Sequence, residues 1–346
     1  MEDIFEYKDC ISPIKKIQSI NVYGVNKETE HIPQFTIAIP TFKRVSTLCD
    51  TIESSLLQKD FEDYNIIVVD NNPERNDETE KFMQQYLTHP KVSYFKNSVN
   101  LGMAGNWNKC LLLSSSNNVI LLHDDDVISP YCLKIFDVIR KSLTDDWAMV
   151  KPNLKKFTYK RNLSFSNPQY IYINKLHRYS FYNECAVGAP TCILLNRHII
   201  LEKGGYNQMF YPSMDYVMTC RTIMTNSIYS LLTDSPIGGY RIACNESLSP
   251  ATMNAYFDKR YTIGKQIMSL NRWNLLIIKI FQSLCYKDDI DEICNSYNMK
   301  SFSLDVNSLD IYPLPYFVCR CFRWIYRKSL QVLKRLEREK IDYDLQ

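Results

Sequence analysis

The chain has 346 residues, 45% of them hydrophobic, which is enough to bury one large core or two modest ones and too apolar for intrinsic disorder. Its formal net charge of +3 lacks the basic excess of a nucleic-acid-binding chain, so no nucleic-acid partner is expected. The 12 cysteines mostly stand singly in apolar runs, as at Cys110, Cys132, Cys192 and Cys220, without zinc-site spacing, which predicts reduced, buried thiols.

The opening MEDIFEYKDC has no apolar h-region, and no window of about twenty residues is apolar enough to span a bilayer. The expectation is a cytoplasmic protein. Residues 1–34 are polar and without a clear period, and read as an extension before the fold. From residue 35, strand-like and helix-like segments alternate. Phe35–Ile39 reads as a buried strand closed by Pro40, and Val45–Leu57 as a helix. Asn65–Val69 is a second strand, Asp77–Leu87 a polar-faced helix, and Val92–Phe95 a third strand. Gly102–Leu113 is a third helix and Val119–Leu122 a fourth strand. Short apolar strands separated by helix-length segments predict βαβ units and a Rossmann-like, mostly parallel sheet flanked by helices. Residues 153–185 read as extended segments and loops. Residues 191–225 read as a strand, a short helix, a Gly-Gly turn and a longer helix from about Met214. Beyond Tyr256 the chain is mostly helical and increasingly basic. The expected organisation is an extension over 1–34, a catalytic domain over 35–255 and a helical C-terminal region over 256–346.

Ligands of such sheets bind beyond the carboxyl ends of the strands. The fourth strand ends in Leu121-Leu122-His123-Asp124-Asp125-Asp126. Three adjacent carboxylates suit Mg²⁺ or Mn²⁺, hard cations that take carboxylates together with substrate phosphates. Strand alternation would put Asp124 and Asp126 on one side, with Asp125 pointing away or toward a sugar. Read alone, the run also fits a solvated turn capping a helix. Asp70, after Val68-Val69, could accept from a uracil N–H or a ribose hydroxyl, or simply close the strand as an Asx-turn. Pro40-Thr41-Phe42-Lys43-Arg44 offers a hydroxyl, an aromatic face and two cations. The amide-rich Asn97–Asn108 stretch has no phosphate-loop spacing.

These residues together resemble the family-2 glycosyltransferases with the A-type fold, over about residues 35–250. The resemblance is carried by Pro40 to Arg44, Val68 to Asn72, the Asn100, Gly102 and Asn106 pattern, and the metal motif Asp124 to Asp126. Gly204-Gly205-Tyr206, Asp215-Tyr216-Val217-Met218 with Arg221, and Tyr240-Arg241 continue it. Two positions depart from the pattern: Met214 stands where a Glu is usual, and Ala243 where a His is usual. The resemblance implies transfer, with inversion, from a nucleotide-diphosphate sugar, most often a UDP-sugar, to a glycan hydroxyl. The bacterial surface-polysaccharide (O-antigen or capsule) members are the nearest in kind, so the expected acceptor is a lipid-linked glycan. It further implies that Asp70 binds the base, that Asn72 belongs to the donor site, and that Asp124 or Asp125 binds the ribose. Pro40, Thr41, Asn100, Gly102 and Asn106 would shape the donor site, with Arg44 and Arg241 near the phosphates. Asp126 would be the principal ligand of a Mn²⁺ or Mg²⁺ ion, Asp124 a second, and Asp215 the general base. The helix N-terminus at Asp215 is expected to hold its pKa low.

The segment YFVCRCFRWIYRKSLQVLKRLEREK places Val318, Phe322, Ile325, Leu333 and Leu336 at helical spacing, with Arg320, Arg323, Arg327, Lys334 and Arg338 largely opposite. Such a helix suits an anionic membrane surface, which predicts peripheral association with the inner face of the cell membrane; packing on the domain is the competing arrangement. A nucleotidyltransferase would need a Gly-rich phosphate loop after the first strand, which Pro40–Arg44 lacks. A non-catalytic glycan-binding module would have no use for Asp70, Asp126 and Asp215 together.

Overall fold

β-Branched apolar runs form the middle of the sheet because both of its faces are covered. The computed structural model describes residues 3–23, 31–182, 185–242, 249–270, 276–284, 315–336 and 338–341. Helix α1 (Ile11–Lys15) and strand β1 (Ser19–Tyr23) precede β2 (Phe35–Thr41), α2 (Val45–Leu56), β3 (Tyr64–Asp70), α3 (Glu78–Met83), β4 (Val92–Asn97), α4 (Gly102–Leu113) and β5 (Asn118–Leu121). Next come β6 (Val127–Ile128), α5 (Cys132–Arg140), β7 (Trp147–Lys151), β8 (Leu154–Phe157), β9 (Ile171–Lys175), β10 (Ile193–Asn196), α6 (Arg197–Glu202) and α7 (Met214–Ile223). Strands β11 (Ser227–Thr233) and β12 (Gly238–Arg241), helices α8 (Pro250–Leu270), α9 (276–284) and α10 (Tyr316–Leu336), and β13 (Arg338–Ile341) complete the order.

Ten strands make one sheet in the order β1-β4-β3-β2-β5-β10-β7-β11-β9-β13. Strands β4, β3, β2 and β5 are parallel neighbours joined by α2, α3 and α4, as the alternation predicts. β10 then runs antiparallel to both β5 and β7, and the far half of the sheet is mixed. Alternate residues of the parallel strands feed two cores. Ile37, Ile39, Ile66 and Val68 meet Leu48 and Ile52 of α2 and Phe136 of α5. Ala38, Ile67 and Val69 meet Ala104, Trp107 and Cys110 of α4. The period of two along each strand thus fills both layers with apolar side chains.

Register brings the strand ends together. Thr41 pairs with Asp70, Asp70 with Lys96, and Ala38 with Leu121. β2 continues through Pro40, beyond the sequence-based stop at Ile39. Pairing with β5 has ended at Ala38, so the missing N–H of Pro40 lies where a ladder tolerates it. The helix expected over Asp77–Leu87 divides into α3 and a 3₁₀ turn at Gln84–Tyr86, and the Asp77 carboxylate caps α3 by accepting from Glu80 N at 2.8 Å. A separate three-stranded sheet, β6-β12-β8, carries Arg241 back to the acidic turn after β5.

The N-terminal residues lie against this body: β1 pairs antiparallel with β4, and Ile4 is buried in the core beside α4. The Gly-Gly turn makes that possible. Gly204 has φ +86°, and a Cβ there would sit 2.2 Å from the Lys8 carbonyl oxygen, while the Gly204 carbonyl accepts from Cys10 N at 3.0 Å. At the other end, α10 docks through Cys319, Phe322, Arg323 and Tyr326; Phe322 and Tyr326 both meet Phe281 edge-on, at 5.5 and 5.2 Å between ring centres. Two side chains thus differ from the helical-wheel expectation: Phe322 packs inward, and Arg323 lies buried with it rather than on a solvated stripe. β13, which the basic run conceals, adds a last strand antiparallel to β9. The nine described cysteines are unbridged thiols, and among the described residues no helix is long and apolar enough to cross a membrane.

Candidate active site

The acidic run leaves the sheet at Leu121 and turns, so strand alternation no longer governs its side chains. Asp124 Oδ2 accepts from the Thr41 hydroxyl at 2.7 Å. Arg44 Nη1 lies 2.8 Å from Asp125 Oδ2 and 3.6 Å from Asp124 Oδ1. Asp126 Oδ1 accepts from the Arg241 backbone N at 2.7 Å, and its carbonyl accepts from the Thr51 hydroxyl at 2.7 Å. Ligand atoms of His123, Asp125 and Asp126 lie within 4.8 Å of one another. Asp125 thus shares this cluster with His123 and Asp126, while Asp124 is engaged by Thr41 and Arg44.

Two atoms here have no hydrogen-bond partner although both are buried: Asp126 Oδ2 and His123 Nε2. A buried polar group without a partner costs about 1–3 kcal/mol, so the pair fits a site completed by a cation. Burial sets the protonation of the turn. It pushes the Asp124 carboxyl up to about 7 against the pull of Arg44, and raises Asp126 with help from the neighbouring Asp125 charge. It also lowers His123 to about 4, leaving the imidazole neutral and able to ligate near pH 7. The unpaired carboxylate oxygen, the neutral ring nitrogen and the adjacent carboxylate fit a divalent cation.

Asp70 is fully buried. Its Oδ2 accepts from Tyr94 Oη and from Lys96 Nζ, both at 2.7 Å, and its Oδ1 from Asn72 N at 2.9 Å. Lys96 also reaches Asp77 at 3.0 Å, and Asn72 Nδ2 donates to Asp77 at 2.5 Å. Burial pushes the Asp70 carboxyl up, opposed by Lys96. The group expected to face a nucleobase thus braces the β3–β4 ends from below. The amides behave likewise. Asn106 donates to the Val69 carbonyl at 3.1 Å and accepts from Asn97 at 2.9 Å; Asn100 accepts from Asn71 at 2.8 Å and from Gly102 N at 2.9 Å. Gly102, at φ +70°, leaves room for Gln208. These residues, with Pro40 inside β2, shape the strand ends through internal bonds.

Arg241, expected beside the phosphates, is buried and committed: Nε donates to the Asp125 carbonyl and Nη2 to Asp50 Oδ2, each at 2.7 Å. It clamps the acidic turn. Arg44, whose side chain is about a third exposed, is the cation at the mouth of the cluster. Ala243 lies outside the described residues.

Asp215 sits in the first turn of α7, in a small pocket with Cys185, Val187, Gly188, Tyr206 and Thr219. Here burial outweighs the helix dipole. The carboxyl is pushed up to about 6, above the low value that the helix terminus alone predicts. Trp107 links this pocket to the acidic turn: it stacks on His123 at 5.2 Å and meets Tyr206 edge-on at 5.1 Å. Sequence reasoning passed over His123, Trp107, Tyr206 and Lys96 as site residues. The signal for His123 was its place between an apolar strand and three acids; Lys96 had none, because its partner is in another strand.

Comparison with known proteins fits this architecture. Residues 36–202, a stretch that holds the acidic turn, match the family model described as glycosyl transferase family 2. The chain is 22% identical over 242 residues to "Uncharacterized protein MT1568" of Mycobacterium tuberculosis (strain CDC 1551 / Oshkosh), covering 66% of this chain and 74% of that protein. It is 27% identical over 107 residues to "Putative colanic acid biosynthesis glycosyl transferase WcaA" of Escherichia coli (strain K12), covering 30% of this chain and 37% of that protein. Likeness to WcaA therefore spans little more than a third of its length. Residues 1–349 of S. aureus TarS superpose with a TM-score of 0.54 at 15% identity, covering 79% of this chain and 75% of that one. The same TarS fragment in complex with UDP-GlcNAc gives 0.55 at 16% identity, over 79% and 76%. The fold is the A-type glycosyltransferase fold.

Proposed function

We propose that this chain transfers a sugar, with inversion, from a nucleotide-diphosphate sugar to an acceptor hydroxyl. The observation that carries the reading is the pairing of two sites through Trp107: a carboxylate turn with an unsatisfied buried oxygen, and a pocket holding the partly buried carboxylate of Asp215. The donor diphosphate meets Arg44 at the mouth of the turn. A divalent cation, Mn²⁺ or Mg²⁺, held by Asp126 with its neighbours would supply neutralisation of the leaving diphosphate. Asp215 takes the proton of the acceptor hydroxyl as its oxygen bonds to the anomeric carbon, while the bond from that carbon to the diphosphate oxygen breaks. Attack from the face opposite the leaving group inverts the centre.

UDP is the favoured nucleotide, by likeness to TarS, which has been solved with UDP-GlcNAc. Polysaccharide biosynthesis is the favoured pathway, by likeness to WcaA, whose name gives it to colanic acid biosynthesis; the acceptor we infer is a lipid-linked glycan. Stabilisation of the fold by UDP in Mn²⁺ tests the donor reading; no shift with UDP, dTDP or GDP would sink it.

A lipid-linked acceptor implies work at the inner face of the cell membrane, and α10 offers the surface. Besides the buried Arg323, its 21 residues contain the cations Arg320, Arg327, Lys328, Lys334 and Arg335, and no acid. Phe317, Val318, Trp324, Ile325 and Val332 are exposed, Phe317 by 76% and Trp324 by 63%. Exposed aromatics on a helix rich in cations are complementary to an anionic lipid surface. Co-sedimentation with anionic vesicles should fall as salt shortens the Debye length below about 10 Å, and should fall again in a Phe317→Ser/Trp324→Ser variant. Equal partitioning of the variant and the parent would remove α10 from the account.

A further inference from the structure

We propose that His123 is a nitrogen ligand of the divalent cation, joining Asp125 and Asp126 in a mixed nitrogen–oxygen set that favours Mn²⁺ over Mg²⁺. The inference deepens the donor-site reading and rests on it. Ligand atoms about 2.0–2.2 Å from one ion lie about 3–4.3 Å from one another. Those of His123, Asp125 and Asp126 already lie within 4.8 Å, a gap that small side-chain rotations close.

Three features point to ligation and not to a packed core histidine. First, the Nε2 atom is buried without a partner, next to a carboxylate whose Oδ2 is also buried without one. Asp126 itself is fully buried, so no solvent answers its second oxygen. Second, Trp107 stacks on the imidazole at an interplanar angle of 23°. Stacking covers the face of the ring and leaves its edge, where the nitrogens lie, for ligation. Third, the backbone is pinned on both sides: His123 N donates to Thr191 Oγ1 at 3.1 Å, and the His123 carbonyl accepts from Asp126 N at 3.1 Å. The ring and the Asp126 carboxylate are therefore held in a fixed relation before any ion arrives.

The choice of metal follows from the donor types. Mg²⁺ prefers an all-oxygen octahedron and keeps several waters, whereas imidazole suits transition metals. Arg44 holds Asp125 from the outer side, where its guanidinium can pass to the donor phosphates once the cluster is charged.

The probe is Mn²⁺ alone, with the full chain and no nucleotide. Pulsed EPR of the wild-type protein carrying isotope-labelled histidine should show one coordinated imidazole nitrogen, which shifts with the label. His123→Ala should lose that signal and bind Mn²⁺ at least about tenfold more weakly, while Mg²⁺ binding changes less. The wild-type spectrum does not depend on the variant's folding. If Mn²⁺ binds with no histidine nitrogen, or His123→Ala binds it as tightly as the parent, the assignment of His123 is overturned and the donor-site reading stands. If the wild-type protein binds neither Mn²⁺ nor UDP, the donor-site reading falls with it.

Discussion

Replacing Asp215 with Asn should lower kcat by about 10²- to 10⁴-fold, the usual cost of removing a well-placed general base, while UDP affinity in Mn²⁺ stays near that of the parent. The pocket around Asp215 contains thiol, aromatic and hydroxyl groups and, among the described residues, no cation, so the amide fits where the carboxylate was. Burial places the carboxyl near 6, closer to working pH than an exposed aspartate, which makes it the stronger base. The sign of the pH effect follows. Below about 6 the group is protonated and cannot accept the acceptor's proton, so the wild-type rate should fall with acid through that value. Above it the rate should level off. The same raised pKa means that this carboxyl favours the fold most when protonated, and that its contribution is lost as pH rises from 3.8 through about 6. Asp215→Asn should therefore be no less stable than the parent at pH 7. Turnover close to the parent's, or loss of UDP binding as severe as in a variant of the acidic turn, would remove Asp215 from the role of base.

Lys96→Met should cost roughly 3–5 kcal/mol, the usual penalty for removing one member of a buried ion pair. Lys96 is 1% exposed and Asp70 is fully buried, and the same ammonium serves Asp77. Methionine keeps most of the volume and none of the charge. Asp70 would retain its bonds from Tyr94 and Asn72 but face the core as an uncompensated anion. The melting temperature should drop on the order of 10 °C at neutral pH. Because burial already pushes the Asp70 carboxyl up, losing Lys96 raises it further, and protonation relieves the variant in acid. The gap from the parent should narrow as pH falls. A variant melting with the parent at pH 7 would show that Lys96 does not hold the β3–β4 ends together.

The sheet was legible because its apolar runs are short, β-branched and separated by helix-length segments. Strands such as Tyr64–Asp70 are buried along their whole length, and nothing but a doubly covered sheet accommodates seven such residues. The ends of the strands were legible as positions, since carboxylates and amides follow apolar runs. Their side-chain directions were not. Asp125 joins Asp126 because the chain has already turned out of the strand, where the period of two no longer applies. Asp70 faces Lys96, which lies in β4, a pairing that depends on sheet register and leaves no local trace. The carboxyl of Asp215 is raised because tertiary burial overrides the helix terminus, and burial is a property of the folded chain. α10 shows the same limit: its cations and aromatics were visible, but which face meets Phe281 is decided by residues far away in the chain.

Calorimetric titration of UDP into the wild-type protein and into Asp126→Asn, each in Mn²⁺ and in excess EDTA, tests the central claim most directly. Asp126 joins the unpartnered oxygen to the clamp from Arg241, so UDP should bind the wild-type protein in Mn²⁺ only. Asp126→Asn should bind it weakly or not at all under either condition, with the fold retained. UDP binding of equal strength with and without the metal, or equal in the two proteins, would contradict the assignment of the turn after β5 as a metal–diphosphate site.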